Sequence, residues 1–189
     1  MSQIGYAVAA TAAALVLAGC GGDTVPGPVG GGPTSAAATT APARTAPTAT
    51  PTTAVPQTLT FTAQTVDGKP FDAATLAGKP VVLWFWAAWC PRCRAAADDV
   101  AGVQRDFAGR VHTVGVAGLD SGAAAMRDFV ADRGIDGFVN LADDEGEVWQ
   151  RFGVTTQEYY VLLDAAGKVV HKGPLNPDAL RDRVTALAG

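Results

Sequence analysis

The chain has 189 residues and a formal net charge of −4, a length that suits one domain of ordinary size with appendages. Lysine and arginine form no run, which argues against a surface that binds nucleic-acid phosphates. Three cysteines are too few for a fold held together by disulfides. One cysteine stands alone at position 20, whereas the other two form a pair separated by two residues.

The first segment, residues 1–20, is apolar, rich in alanine and without charged side chains. A short apolar stretch followed by small residues is typical of an export signal. Its ending, Leu-Ala-Gly-Cys at positions 17–20, resembles the lipobox of bacterial lipoproteins. That resemblance implies that Cys20 becomes the first mature residue and carries a diacylglyceryl group. The basic residues that usually precede the apolar stretch are missing. A membrane-spanning helix is the alternative, disfavoured because the stretch is rich in alanine and glycine and ends at two further glycines.

The second segment, residues 21–57, consists mainly of glycine, proline, alanine and threonine. Such a composition offers few groups to bury and predicts a disordered tether, which proline stiffens and extends. The third segment, residues 58–189, contains nearly all the aromatic residues and is predicted to be the folded domain.

Patterns in the third segment predict its elements in chain order. Alternation at 59–63 indicates a half-buried strand, and the apolar run Val81–Trp86 indicates a central strand covered on both faces. A helix is expected at 91–107 and a second central strand at 111–116.

The rest of the domain is predicted from capping residues and short apolar runs. Ser121 is placed to cap a helix, and Asp144 and Glu147 have capping-box spacing for a shorter one. Strands at 159–163 and 169–171 precede a terminal helix that Pro177 opens. This order predicts an α/β fold with a partly parallel sheet, a terminal hairpin and helices on both faces.

The segment Trp89-Cys90-Pro91-Arg92-Cys93 follows the central strand and opens a helix. Cys90 is expected at the N-cap and Pro91 at the first helical position, where proline is favoured. The helix dipole and the positive charge of Arg92 then favour a thiolate at Cys90. Thiols in such positions have pKa values of roughly 3.5–7.5, against about 8.5 for a free cysteine. We therefore expect Cys90 to be the exposed attacking thiolate, and the more buried Cys93 to resolve the mixed disulfide.

With its preceding run Trp84–Trp89, this motif is similar to the active site of the thioredoxin superfamily. More narrowly, residues 58–189 resemble the TlpA-like and DsbE-like extracytoplasmic thioredoxins. The resemblance implies a thioredoxin fold with a central mixed sheet and an N-terminal β extension. It also implies a reversible Cys90–Cys93 disulfide and an exposed Trp89 beside it. The implied partners are thiols and disulfides of exported proteins, with a membrane redox partner as a further option, and no cofactor is called for.

Three positions depart from the family pattern. Glu158 stands where the family carries a cis-proline facing the active cysteines; a cis bond before a non-proline residue costs about 2.5–4 kcal/mol, so we expect a trans bond and a loop of different shape. A carboxylate there could raise the pKa of Cys90. Ala96 replaces a glutamate, and Trp84 replaces the buried acid that cytoplasmic thioredoxins carry before the motif. Glu158, Asp98 and Asp99 are then the candidates to exchange the proton of Cys93.

Other interpretations of the cysteine pair remain open from sequence. A structural disulfide is one, although a short accessible loop favours a labile bond. Half of a zinc site is another, but only His112 and His171 offer further nitrogen ligands and their spacing is unsuitable. A thiol peroxidase would need a hydroxyl side chain that the motif lacks. The alternative from another class is a non-catalytic binding module that docks partners on the Glu158 loop. The sequence leaves the direction of exchange open between oxidase, isomerase and reductase, although Arg92 should stabilise the thiolate and favour oxidation of partners.

Overall fold

The computed structural model describes residues 54–189. The predicted export signal, Cys20 and all but the last residues of the predicted tether lie outside the described residues. Among the helices of the described part, none is both long and apolar enough to cross a membrane.

A seven-stranded mixed sheet forms the centre of this domain, in the order β2-β1-β5-β4-β3-β6-β7. Strands β3, β4 and β5 run parallel, and the remaining neighbours pair antiparallel. The strands are β1 Thr62–Thr65, β2 Pro70–Asp72, β3 Val81–Trp86, β4 His112–Ala117, β5 Val139–Ala142, β6 Tyr159–Leu163 and β7 Val169–Gly173. The helices are α1 Pro91–Asp106, α2 Ala123–Arg133, α3 Glu147–Arg151 and α4 Pro177–Ala188, with single 3₁₀ turns at Gln57–Leu59 and Ala73–Leu76.

Strand β3 divides the core into two apolar clusters because its side chains alternate between the faces of the sheet. Val82, Trp84 and Trp86 lie in the cluster that α1, α2 and α4 cover, together with both cysteines of the pair. The intervening side chains of β3 pack on the opposite face, beneath α3 and the 3₁₀ turns. Every residue of β3 is fully buried, which explains why its sequence is continuously apolar.

The predicted α/β arrangement, the terminal hairpin and the N-terminal β extension are all present. The predicted strand at 59–63 is wrong in its bounds, since Leu59 lies in a 3₁₀ turn and β1 begins at Thr62. Arg151 explains this local shape, because its guanidinium donates hydrogen bonds to the carbonyls of Gln57 and Thr60 at 2.7 and 3.1 Å. Strand β5 was not predicted from the sequence.

Candidate active site

Cys90 and Cys93 form a disulfide at the start of α1. Cys90 is the N-cap residue of this helix, and its Sγ accepts a hydrogen bond from the backbone N–H of Cys93 at 3.1 Å. Pro91 occupies the first turn, where a missing N–H leaves no intrahelical bond unmade. The predicted capping arrangement is therefore confirmed. The Cys93 N–H, which would otherwise lack an intrahelical partner, points at the Cys90 sulfur.

The expected exposure of Cys90 is wrong for this disulfide form. The residue is 1% exposed and Cys93 is 0% exposed, because both sulfurs pack in the apolar cluster beneath α1. Trp89 is instead the exposed member of the motif, at 52%.

The two arginines of the motif have different roles. Arg92 lies between the cysteines and is exposed. Arg94 is tied down, since its guanidinium donates to the Ala88 carbonyl at 3.0 Å and lies 5.5 Å from the centre of the Phe129 ring. Arg94 therefore braces the loop that precedes Cys90, whereas the charge of Arg92 acts on the Glu158 carboxyl.

The loop between β4 and α2 holds the motif from the other side. Ser121 accepts a hydrogen bond from the Ala88 N–H at 2.9 Å and donates one to the Gly118 carbonyl at 2.6 Å. The Trp89 indole N–H donates to the Leu119 carbonyl at 2.9 Å. Ser121 was predicted to cap α2, but the N-cap residue is Gly122, which has no side chain with which to cap the helix. Because its hydroxyl is used to hold the motif, Ser121 positions the active-site loop instead.

Asp144 fixes this β4–α2 loop. Its carboxylate oxygens accept from the N–H groups of Ser121 and Gly122 at 3.0 and 2.9 Å. Leu119 and Asp120 have positive φ angles of 59° and 53°, a conformation that costs side-chain-bearing residues energy. The surrounding bonds hold these two residues in place and so define where the Trp89 indole is anchored.

The predicted capping box of α3 is also wrong. Asp143, not Asp144, serves this helix, since its Oδ2 accepts from the N–H groups of Val148 and Trp149 at 2.9 Å each. Burial raises the pKa of Asp143, and these backbone hydrogen bonds oppose the rise. The sequence prediction gave the capping role to Asp144 instead of Asp143. Spacing along the chain does not reveal that the Asp144 side chain reaches the β4–α2 loop.

Glu158 is buried beside the motif rather than displayed on a loop. It is 7% exposed, with a positive φ of 56°. Its two carboxylate oxygens accept from the Tyr160 hydroxyl at 2.7 Å and from the Trp84 indole N–H at 3.1 Å. Burial raises the pKa of Glu158, while these two hydrogen bonds and the charge of Arg92 lower it. The Glu158 side chain is therefore too buried for a partner to dock on it.

The remaining candidates are not buried with the sulfurs. Asp98 and Asp99 are exposed on α1. Burial lowers the pKa of both His112 and His171, which begin one strand and end another. Within residues 54–189, no three His, Cys, Asp or Glu side chains are grouped so that they could hold a metal ion.

Comparison with known proteins gives consistent results. The model of the family described as Redoxin matches residues 41–186. Soluble secreted antigen MPT53 of Mycobacterium tuberculosis is 39% identical over 133 residues, which cover 68% of this chain and 75% of that protein. Thiol:disulfide interchange protein DsbE of Yersinia pestis is 31% identical over 123 residues, covering 64% and 63% of the two chains.

A solved structure gives the same result for the fold. The structure of MTB dsbF in its mixed oxidized and reduced forms superimposes with a TM-score of 0.66 at 46% identity. The match covers 70% of this chain and 98% of that one. The thioredoxin fold expected from the sequence is confirmed.

Proposed function

Because this chain belongs to the Redoxin family and is a thiol–disulfide oxidoreductase, we propose that Cys90 is the sulfur that partners bond to. Cys93 then completes the exchange. The observation that carries this assignment is the position of Cys90 as N-cap, where its Sγ accepts the Cys93 N–H. The helix dipole and these amide groups stabilise negative charge on that sulfur. Cys93, one turn further on and fully buried, has no comparable amide support among the described hydrogen bonds.

Three neighbours tune this site in the proposal. Pro91 preorganises the first turn that presents the amide groups. Arg92 supplies positive charge beside the thiolate, which stabilises the reduced form and favours oxidation of partners. Trp89 offers an exposed, anchored aromatic surface against which a polypeptide substrate packs. The substrates we propose are cysteine thiols and disulfides of exported proteins, in line with the names of the relatives.

Alkylation of the reduced protein by iodoacetamide across pH tests the identity of the nucleophile. We expect one residue, Cys90, to be modified at pH values well below 8, because only the thiolate reacts and this thiolate is stabilised. Mass spectrometry of digested samples identifies the modified cysteine, and Cys93→Ser serves as the matched control with unchanged labelling of Cys90. Modification that begins only above pH 8, or that falls first on Cys93, would contradict the assignment.

We further propose that the protein acts outside the cytoplasmic membrane, anchored through lipid on Cys20. The apolar leader and its Leu-Ala-Gly-Cys ending support this. The place where the chain enters the domain supports it as well. Pro56 lies at the Gly167 turn between β6 and β7, and Thr58 donates to the Gly167 carbonyl at 2.6 Å. A tether that joins at this turn can hold the domain without covering its dithiol.

The Gly167 turn and the dithiol lie at opposite ends of the sheet. Val81, the first residue of β3, pairs with Leu163 just before that turn, whereas Cys90 follows the last residue of β3. Six strand residues at about 3.3 Å each separate the two ends by roughly 20 Å. The tether therefore joins the domain at the end of the sheet opposite the dithiol, which leaves the dithiol free to meet exported proteins.

Replacing Cys20 tests the anchor. In a bacterial host that processes lipoproteins, we expect the wild-type chain to incorporate labelled fatty acid and to sediment with membranes. Cys20→Ala should incorporate none, because the thioether that would hold the lipid cannot form. Its folded domain should exchange disulfides at the wild-type rate, which serves as the internal control. A wild-type chain without label would contradict the anchor while leaving the redox assignment intact.

A further inference from the structure

Glu158 is an unusual buried acid, because the described ion pairs do not include it. The only hydrogen-bond partners of its carboxylate in the described residues are the neutral groups of Trp84 and Tyr160. Asp143, the other buried carboxyl among residues 54–189, caps a helix and lies next to the opposite core cluster. A buried carboxyl without a paired cation is costly when ionised and so tends to exchange protons near neutral pH. Disulfide exchange through Cys90 and Cys93 alone gives the Glu158 carboxyl no role.

Sheet geometry puts this carboxyl on the same face as the dithiol. Side chains at alternate positions of β6 share a face, and Tyr160 lies in the cluster that contains Cys90 and Cys93. Glu158 precedes Tyr160 by two residues, and its carboxylate bonds to Trp84 of that same cluster.

Backbone pairing places Glu158 at the end of that face where the loop to Cys90 begins. Tyr160 is opposite Trp84 in the β3–β6 ladder. The Glu158 N–H donates to the Phe85 carbonyl at 2.9 Å, one residue before β3 ends and the loop to Cys90 begins. Arg92, which lies between the two cysteines, is close enough for its charge to act on the Glu158 carboxyl. The carboxyl thus lies at the end of the sheet from which the loop to Cys90 leaves.

We propose that Glu158 is the proton carrier of the dithiol and accepts the thiol proton of Cys93 when Cys93 resolves the mixed disulfide. This proposal rests on the assignment of Cys90 as the sulfur that bonds to partners. Cys93 is fully buried, so water does not reach its thiol directly in this conformation. The hydrogen bonds from Trp84 and Tyr160 hold the carboxylate in place and keep its oxygens from turning away.

The step balances as follows. The partner is bonded to Cys90 through a disulfide, Cys93 is a thiol and Glu158 is a carboxylate. The Cys93 sulfur attacks the Cys90 sulfur, and its proton passes to the Glu158 carboxylate. The Cys90–Cys93 bond forms, the bond from Cys90 to the partner breaks, and the partner leaves as a thiolate. In the reverse direction, protonated Glu158 returns the proton to the Cys93 thiolate. No further oxidant or reductant is required.

The charged and titratable groups that act on this network are few. Arg92 of α1 acts on Glu158, and Asp99 of α1 acts on Tyr160. Burial, followed by the charge of Glu158, raises the pKa of Tyr160 far above its usual value, so its hydroxyl stays a hydrogen-bond donor. Strand β3 contributes only the neutral Trp84. The pH dependence of resolution should therefore follow Glu158, with a midpoint above the ordinary value for glutamate because burial raises its pKa.

Stopped-flow reaction of the reduced protein with an aromatic disulfide separates the two steps. Attack by Cys90 releases one coloured thiolate, and resolution by Cys93 releases a second. In the wild type, the second phase should accelerate as pH rises through the Glu158 midpoint and then level off. Glu158→Gln should slow the second phase by roughly 10²-fold at neutral pH. The deficit should shrink at higher pH, where Cys93 ionises without help.

Matched variants keep the test decisive. Asp98→Asn removes an exposed carboxylate from α1 and should leave both phases unchanged. Glu158→Asp should restore part of the second phase and its pH dependence, and it serves as the test variant if Glu158→Gln does not fold. A second phase slowed equally at every pH, or not slowed, would overturn the proton-carrier role. A first phase that is lost in Cys93→Ser but retained in Cys90→Ser would instead overturn the assignment of Cys90.

Discussion

Cys90→Ser should abolish disulfide exchange, whereas Cys93→Ser should retain the first half of the reaction and stop there. Serine preserves the size of the side chain but is a very weak nucleophile without an adjacent base. We expect Cys90→Ser to reduce turnover in an insulin-reduction or reduced-RNase refolding assay by more than about 10³-fold. Cys93→Ser should accumulate a mixed disulfide through Cys90, because the sulfur that would release the partner is missing.

Non-reducing electrophoresis and intact mass distinguish the two variants. The Cys93→Ser adduct should gain the mass of the partner and lose it on treatment with a dithiol. Thermal unfolding of both variants should be compared with that of the reduced wild type, so that lost activity is not confused with lost fold. If Cys90→Ser were as active as the wild type, the disulfide would be structural and the exchange mechanism would be wrong. If Cys90→Ser rather than Cys93→Ser trapped the partner, the roles of the sulfurs would be reversed.

The elements of the site that are local in sequence were predicted correctly. A continuous apolar run, a cysteine and a proline suffice to place the end of β3, the N-cap and the first turn of α1. These features depend on backbone geometry within a few residues, which is what sequence patterns encode. The exposure of Trp89 was also expected and is confirmed.

The features that were missed depend on contacts between distant segments. Ser121 looks like a helix cap, but it lies against Ala88 and holds the active-site loop. Strand β5 was missed because Asn140 interrupts its apolar pattern. In the fold, this buried amide accepts from Trp86 and donates to the carbonyls of Ile135 and Phe138. No pattern in the linear sequence brings these partners together.

Some properties of Glu158 were predicted from the sequence, whereas others were not. The absence of proline at this position predicted a different loop, and a carboxylate there was a candidate proton carrier. Its burial was not predicted, because a charged residue is rarely fully buried unless paired. The donors are the indole of Trp84 and the hydroxyl of Tyr160. Trp84 lies on β3 and Tyr160 on β6, so two neighbouring strands supply the donors that hold this carboxylate.

Beneath the motif, Gly115 of β4 has no room for a side chain. A Cβ at this position would overlap the Asn140 amide oxygen and lie 2.7 Å from the Trp86 indole nitrogen. Neither neighbour can move freely. The Trp86 indole donates to Asn140 at 3.2 Å and stacks on the Phe129 ring, with centroids 4.5 Å apart. Gly115→Ala must therefore displace the residue that ends β3, only four positions before Cys90.

We expect Gly115→Ala to lower the free energy of unfolding by about 2–4 kcal/mol, because it overpacks the core and disturbs a buried hydrogen bond. For a domain of this size, the melting temperature should fall by roughly 10 °C.

Gly102→Ala is the matched control. Gly102 lies inside α1, and a Cβ there would meet only arginine side-chain atoms at 3.8 and 3.9 Å. Since glycine is unfavourable within a helix, this change should raise the free energy of unfolding by about 0.5–1 kcal/mol. Denaturant unfolding of the oxidised protein measures both values. Equal stability of Gly115→Ala and the wild type would show that the Trp86–Asn140 pair does not hold β3 in place.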